Sequence, residues 1–412
     1  MLIGGLMTCR LGRFRGCLLA AGALALFGLM VGLSWPGPAG AATRTGGMLT
    51  VASGLDNPRG LAAVRTGLAV AEAGHGGPVC LGPGECVGLT GQVTVVNRWN
   101  GRHTAVVTGL PSLGGAFATF GLGGLAVQRR GLYFIVGLNP QTFGDPSADC
   151  QGQPDVAACV AIVSAVQSGA GLLSHARSLR ADRGSETVAA VGRFDFDYAA
   201  AHPDPGNPEY APGDANPFGL TAGPFGGFYV VDAASNTLDF VSRRGEISVL
   251  AFVPDPPNHQ PIYDAAPTCA ARTPNGDVFI GTESNTLWRW DGAQLSQVLA
   301  GGKVGQVVGC VADRRGNVYL ANLASKIGGS FPDFNEQPFD GSIVKVRPDG
   351  STSYVATGLN YPTGLTLGPD GSLYVALNGL CPSDLSLIAS DNAPPGACPE
   401  PGKVVRLARP HH

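Results

Sequence analysis

The chain has 412 residues, 44% hydrophobic and only 14% charged, with 62 Gly, 32 Pro and a net charge of −3. No basic patch or run stands out along it, which argues against nucleic-acid binding. So many turn formers beside enough apolar content for a large core suit an all-β domain with frequent reversals.

At the start, Arg10, Arg13 and Arg15 precede an apolar run from Cys17 to Leu33, then Pro36, Pro38 and the small-residue site Ala39-Gly40-Ala41. This is the order of a secretory signal peptide over residues 1–41, which would place the protein outside the cell or in the periplasm. The competing reading is an uncleaved membrane anchor, because the run is nearly long enough to span a bilayer. Cleavage removes three Arg and no acid, leaving residues 42–412 near −6. It also removes Cys9 and Cys17. The eight Cys that remain, an even number in an exported chain, argue for disulfides; no CxxC and no His at ligand spacing supports zinc instead.

From Asn57 onward one grammar recurs: a short apolar strand, a tight turn and a second apolar strand. The copies are NPRGLAAVRTGLAVAEAG from Asn57, GLGGLAVQRRGLYFIVGL from Gly121 and NPFGLTAGPFGGFYVVDAA from Asn216, followed by PTCAARTPNGDVFIGTES from Pro267, VGCVADRRGNVYLANLA from Val308 and YPTGLTLGPDGSLYVALNG from Tyr361. In the last, Pro369-Asp370-Gly371 supplies the pre-set φ, the Asx bond and the φ > 0 position of a tight reversal. Intervals of about 40 to 95 residues with variable insertions are those of a propeller with embellished loops.

Two more short strands follow each hairpin, giving four per unit. In unit two these are expected near Leu172 to Arg177 and Thr187 to Phe194, after a short helix over Asp155 to Val166. Unit six runs out of chain after Gly402 to Ala408. Its missing strand is the N-terminal MLTVASGLDNP, which has the form of TSYVATGLNYP at Thr352 to Pro362. The expectation is an all-β, six-bladed β-propeller over residues 42–412, closed by its N-terminal strand completing the last blade.

With strands a to d in each blade, the a-to-b and c-to-d turns lie on one face and are short. The long insertions, at 74–89, 139–169, 323–340 and 378–401 and in the d-to-a stretches 111–120, 194–216 and 254–267, lie on the other. Function is expected on that elaborated face. Six Cys fall in its b-to-c insertions as sequence neighbours, predicting Cys80–Cys86, Cys150–Cys159 and Cys381–Cys398 as loop staples. Cys269 and Cys310, read as occupying one position in the first strands of adjacent blades, are either bridged or two buried thiols, with the thiols favoured.

The b strands end in Glu72, Val136, Asp232, Thr282, Asn322 and Leu377. Glu72, Asp232, Thr282 and Asn322 would line the channel mouth as a binding site. Of these, Glu72, Asp232 and Asn322 could hold a hard cation such as Ca²⁺, or all could simply cap loops. Glu283 and Asn378, one residue on, would join the site or be solvated. In the acidic Pro-rich stretch 193–219, Asp195, Asp197, Asp204, Asp214 and Asn216 read as turn residues, since Asp195-x-Asp197 lacks the rest of a calcium loop. His75, His103, His175, His202 and His259 stand without paired partners and no G-x-S-x-G elbow is present, so no catalytic residue is assigned.

The chain resembles the ScyD/ScyE family of exported β-propellers, akin to NHL-repeat and SMP-30-like six-bladed propellers. The likeness lies in ASGLDNPRGLA (Ala52 to Ala62), VAEAGHGGPVC (Val70 to Cys80), VVTGLPSL (Val106 to Leu113), PDPGNPEYAPGDANPFGL (Pro203 to Leu220), VVDAASNTLDFV (Val230 to Val241) and the PDG-rich C-terminal run. It implies an exported, non-catalytic binding or scaffold protein, expected to be a monomer without a membrane span, that holds a small molecule, polymer or protein on its loop-rich face. The alternative is a metal-dependent SMP-30-like hydrolase or lactonase with a divalent ion at the channel mouth. Such lactonases carry metal-binding Asn or Asp just before the Gly of the first strands; here those positions are Arg59, Gly123, Phe218, Thr268, Val308 and Thr363.

Overall fold

Each tight reversal folds one short strand back onto the next, and four such antiparallel strands make a blade. The structure, a computed structural model, describes residues 47–82, 85–114, 119–202, 213–257, 264–325, 337–387 and 396–407. The expected signal peptide lies outside these residues, as do Asp204 and His259.

There are six sheets, hence six blades. Blade three is the plainest, built from Pro217–Ala222, Phe228–Asp232, Thr237–Val241 and Ile247–Phe252 in that order. Blade six takes Leu365–Leu367, Leu373–Leu377 and Gly402–Leu407 from the end of the chain and Met48–Leu55 from its beginning, with Thr50 opposite Val405. The ring therefore closes on backbone hydrogen bonds, as expected. Blade one departs most from the plan: its third and fourth strands, Glu85–Val96 and His103–Gly114, run on past the sheet as a long hairpin with Val79–Gly82 added.

Apolar side chains alternate into the seams between blades. Leu68, Val70 and Val96 of blade one pack with Val51, Tyr374 and Val404 of blade six, all buried. Each such side chain contributes about 1.5–3 kcal/mol when fully buried. At the centre the six first strands meet around a cavity of only about 60 Å³, room for a few waters. Glycine makes that approach possible: a Cβ on Gly309 would stand 2.0 Å from the Thr363 carbonyl oxygen, and one on Gly364 2.1 Å from that of Arg59.

Blade four has Cys269 in this glycine column, opposite Gly281 as Gly309 is opposite Ala321. Two expectations fail here. Cys310 is one position further along its strand, and the two are joined in a disulfide with a Cα–Cα distance of 5.7 Å. The offset is what brings their side chains together, since equivalent positions on adjacent first strands meet backbone to backbone. The three loop staples form as expected. Four disulfides are the mark of an oxidising compartment. Among the described residues no helix is long and apolar enough to cross a membrane.

Helix Val156–Gly169 begins where the Asp155 carboxylate accepts from the Ala158 N–H at 2.9 Å, close to the expected span. A later helix corrects an expectation. Blade two's outer strand stops at Ala190, and Val191–Ala201 is helical.

Candidate functional site

The four strand-end residues singled out from the sequence are all sealed, at most 1% exposed. Glu72 accepts from the Asp56 N–H at 2.7 Å and from Gln92 at 2.9 Å, and bonds the Thr94 hydroxyl. Asp232 accepts from the Asn216, Ala234 and Ser235 N–H groups at 2.8–2.9 Å. Asn322 accepts from the Gly305 N–H and donates to the Lys303 carbonyl and Ser342 hydroxyl. In these three blades the side chain ties down the chain arriving from the previous blade. Thr282 instead closes the turn to the next strand of its own blade, accepting from the Thr286 N–H at 3.1 Å. Glu72, Asp232 and Asn322 thus sit in blades one, three and five, each engaged with its own surroundings. Among the described residues no three His, Cys, Asp or Glu side chains are grouped as a metal site. The donor set does not fit the divalent ion of the lactonase alternative.

Glu283 and Asn378 are not solvated, at 1% exposed each. Asn378 donates to the Glu400 and Pro401 carbonyls. Glu283 faces Arg59 from the opposite side of the ring. Burial lowers the Arg59 guanidinium to about 10, and the Glu283 charge partly offsets that.

A site that sequence reading missed lies between blades one and six. Its loop is Gly74-His75-Gly76-Gly77, leaving the end of strand Gly67–Glu72. Gly74 and Gly76 take φ of +79° and +78°, which L side chains rarely adopt. Thr90 and Ser112 hydroxyls accept from the His75 and Gly76 N–H groups. So held, His75 Nδ1 meets Asp56 Oδ2 at 2.5 Å, while Asp56 Oδ1 accepts from the Ser383 N–H at 3.1 Å. His75 therefore has a partner, contrary to expectation: Asp56 lies nineteen positions earlier, on the connection from the ring-closing strand. The signal available in the sequence was a lone His bracketed by glycines in VAEAGHGGPVC.

The pair opens on a cavity of about 340 Å³ lined by Asp56, Glu72, His75, Thr90, Gln92 and Ser383. Ligand pockets start at about this size. The His75 side chain is 33% exposed and Asp56 9%. With Nδ1–H donated to the carboxylate, Nε2 is left to take a proton. Burial raises the Glu72 carboxyl above its usual range, against the hydrogen bonds from Thr94, the Asp56 N–H and Gln92.

A second acidic site is closed. Asp195, on helix Val191–Ala201, is fully buried against Asp232 and Asp239 of blade three. Neither Asp195 oxygen meets an N–H or O–H from elsewhere among the described residues. Burial first, then the neighbouring carboxylates, push Asp195 well above the usual carboxylate range; burial does the same to Asp239. Asp214 is raised to about 6, chiefly by burial. Asp197 points the other way, paired with Arg193 at 3.0 Å. Neither Asp195 nor Asp197 is a turn residue as expected, because both are on a helix.

No protein-family model and no curated protein matches the chain. Solved structures share its fold. A protein of unknown function from Bacteroides thetaiotaomicron is 10% identical, covering 87% of this chain and 75% of its own, with a TM-score of 0.50. A gluconolactonase from Xanthomonas campestris is 11% identical over 87% and 89%, TM-score 0.49. Virginiamycin B lyase from Staphylococcus aureus is 11% identical over 81% and 82%, TM-score 0.41. At 10% identity the likeness to the first of these is one of fold.

Proposed function

We propose that this chain is an exported propeller enzyme that performs general acid–base chemistry on a small polar molecule between blades one and six. The observation that carries the reading is the His75–Asp56 pair at 2.5 Å, opening on a polar cavity. His75 Nε2 takes a proton from a water or a substrate hydroxyl, and Asp56 stabilises the imidazolium that forms. Asp56 is itself steadied by the Ser383 N–H. Glu72 holds the Asp56 backbone and fixes the floor of the cavity.

Hydrolysis of a lactone or ester is the reaction class that such a base serves without a nucleophilic side chain. This keeps the hydrolase alternative from the sequence and exchanges its metal for a histidine. The test is a panel of small lactones and esters followed by proton release, with His75→Ala beside the native protein. Turnover lost in the variant supports the reading. No turnover by the native protein, with small polar ligands bound equally by both, overturns it in favour of the non-catalytic, ScyD/ScyE-like binding role.

A further inference from the structure

The topology gathers onto the plain face what the sequence scatters. The Arg-Arg pairs 129–130, 243–244 and 314–315 are all exposed, each on an a-to-b or c-to-d turn of blades two, three and five. Of the described arginines only Arg59 and Arg193 lie elsewhere than the turns and strand ends of this face. Its carboxylates are largely folded into their own turns: Asp291 accepts from Ala293 and Gln294, Asp313 from Arg315 and Asn317, and Asp349 from Ser351. The elaborated face is the reverse, with Asp56, Glu72, Asp195, Asp214, Asp232 and Glu283 against few cations.

The two most exposed large hydrophobic side chains among the described residues stand on the same basic face. Phe225, 90% exposed, tips the a-to-b turn of blade three at φ +55°, beside Arg129. Trp99, 80% exposed, tips the c-to-d turn of blade one with the Arg98 guanidinium 4.8 Å from its ring centroid. Between blades four and five the face is hollowed by about 340 Å³, lined by Arg289, Arg314 and Arg315 with Asp277. Arg289 Nη1 stands 3.9 Å from Asp277 Oδ2, and its buried Nε has no hydrogen-bond partner among the described residues. The N-terminal strand also begins on this face, at Met48, following the apolar run Cys17 to Leu33 in sequence.

We propose that the plain face docks on an anionic lipid surface. Arginines meet the phosphates, the hollow with Arg289 accepts one headgroup, Trp99 enters the interfacial layer, where amphipathic aromatic rings are favoured, and Phe225 inserts its apolar ring at the acyl boundary. A polyanion alone would account for the arginines and leave the aromatic residues without a role. The elaborated face, with the His75 cavity, would then look away from the membrane into solution.

The test uses the chain from Ala42, since all six sheets are complete within residues 47–407. It is sedimented with phosphatidylcholine vesicles with and without phosphatidylglycerol. Binding only to the anionic vesicles, with a blue shift in Trp fluorescence that Trp99→Ala removes, is the expected result. Arg243→Gln with Arg244→Gln should weaken binding roughly tenfold or more, and Trp99→Ala with Phe225→Ala should weaken it further at high salt. These side chains are exposed, so unchanged thermal melting checks the fold. No binding to anionic vesicles at low salt overturns the proposal. So does equal affinity for duplex DNA with no contribution from Trp99 and Phe225.

Discussion

At the seam of blades six and one, Asp56 keeps 9% exposure, a histidine beside it and a cavity in front. At blade three, Asp195 is fully buried beneath its own helix with only Asp232 and Asp239 for company. Both sites are acidic and both sit on the elaborated face. What separates them is the partner. A carboxylate that orients an imidazole toward solvent can move a proton outward; three carboxyls closed off from water can only share protons among themselves, and so fasten a helix. Perturbed carboxyls, Glu72 at the first and Asp195 with Asp239 at the second, mark both places, and geometry decides which is a working site.

The sharpest way to break this contrast is at His75. Once a substrate is in hand, His75→Asn should lower turnover about 10²–10⁴-fold while leaving stability nearly unchanged; an equal loss from Asp195→Asn would show that the sites had been assigned the wrong way round. Next in size is the third kind of seam, stapled covalently. Cys269→Ala with Cys310→Ala opens a link spanning 41 residues and should cost about 4 kcal/mol in urea unfolding. Removing Cys80–Cys86, which spans 6, should cost about 2 kcal/mol. At blade three, Asp232→Ala leaves the buried Asn216, Ala234 and Ser235 N–H groups without their acceptor, and about 3 kcal/mol is expected from chemical denaturation.

The smallest effect is the most diagnostic of shared protons. A carboxyl whose folded pKa is raised binds more protons folded than unfolded. Its stabilising contribution is whole below the unfolded value near pH 4 and declines as pH rises through the folded value. For Asp214 that window runs up to about 6, chiefly because of burial, and burial moves Asp195 and Asp239 in the same direction. Asp195→Asn should therefore flatten the loss of stability with rising pH and leave the variant more stable than the native protein at pH 8, read by urea unfolding. A pH profile parallel to that of the native chain would remove the shared-proton account.

Most of the ring was legible because its signals are local. Turn chemistry such as Pro369-Asp370-Gly371 marks each reversal, and the likeness of Met48–Pro58 to Thr352–Pro362 revealed the closing strand. The helix at 191–201 was not legible, because Arg193-Phe194-Asp195-Phe196-Asp197-Tyr198 alternates polar and aromatic residues with the period of a strand. Its backbone follows the helix-forming Ala199-Ala200-Ala201 and the burial of Asp195 instead. The strand-end residues lie at strand ends as read, yet their bonding partners were hidden, among them the N–H groups of Asp56, Asn216 and Gly305 on the incoming chain.

By itself the sequence determined six four-stranded units, strap closure, the three loop staples and which face is elaborated, since each follows from spacing along the chain. Only the tertiary structure decided that Cys269 reaches Cys310, that Asp56 partners His75 and that separate arginine turns share one face. Those depend on how neighbouring blades are brought side by side, and adjacency across a seam carries no periodicity that a single chain displays.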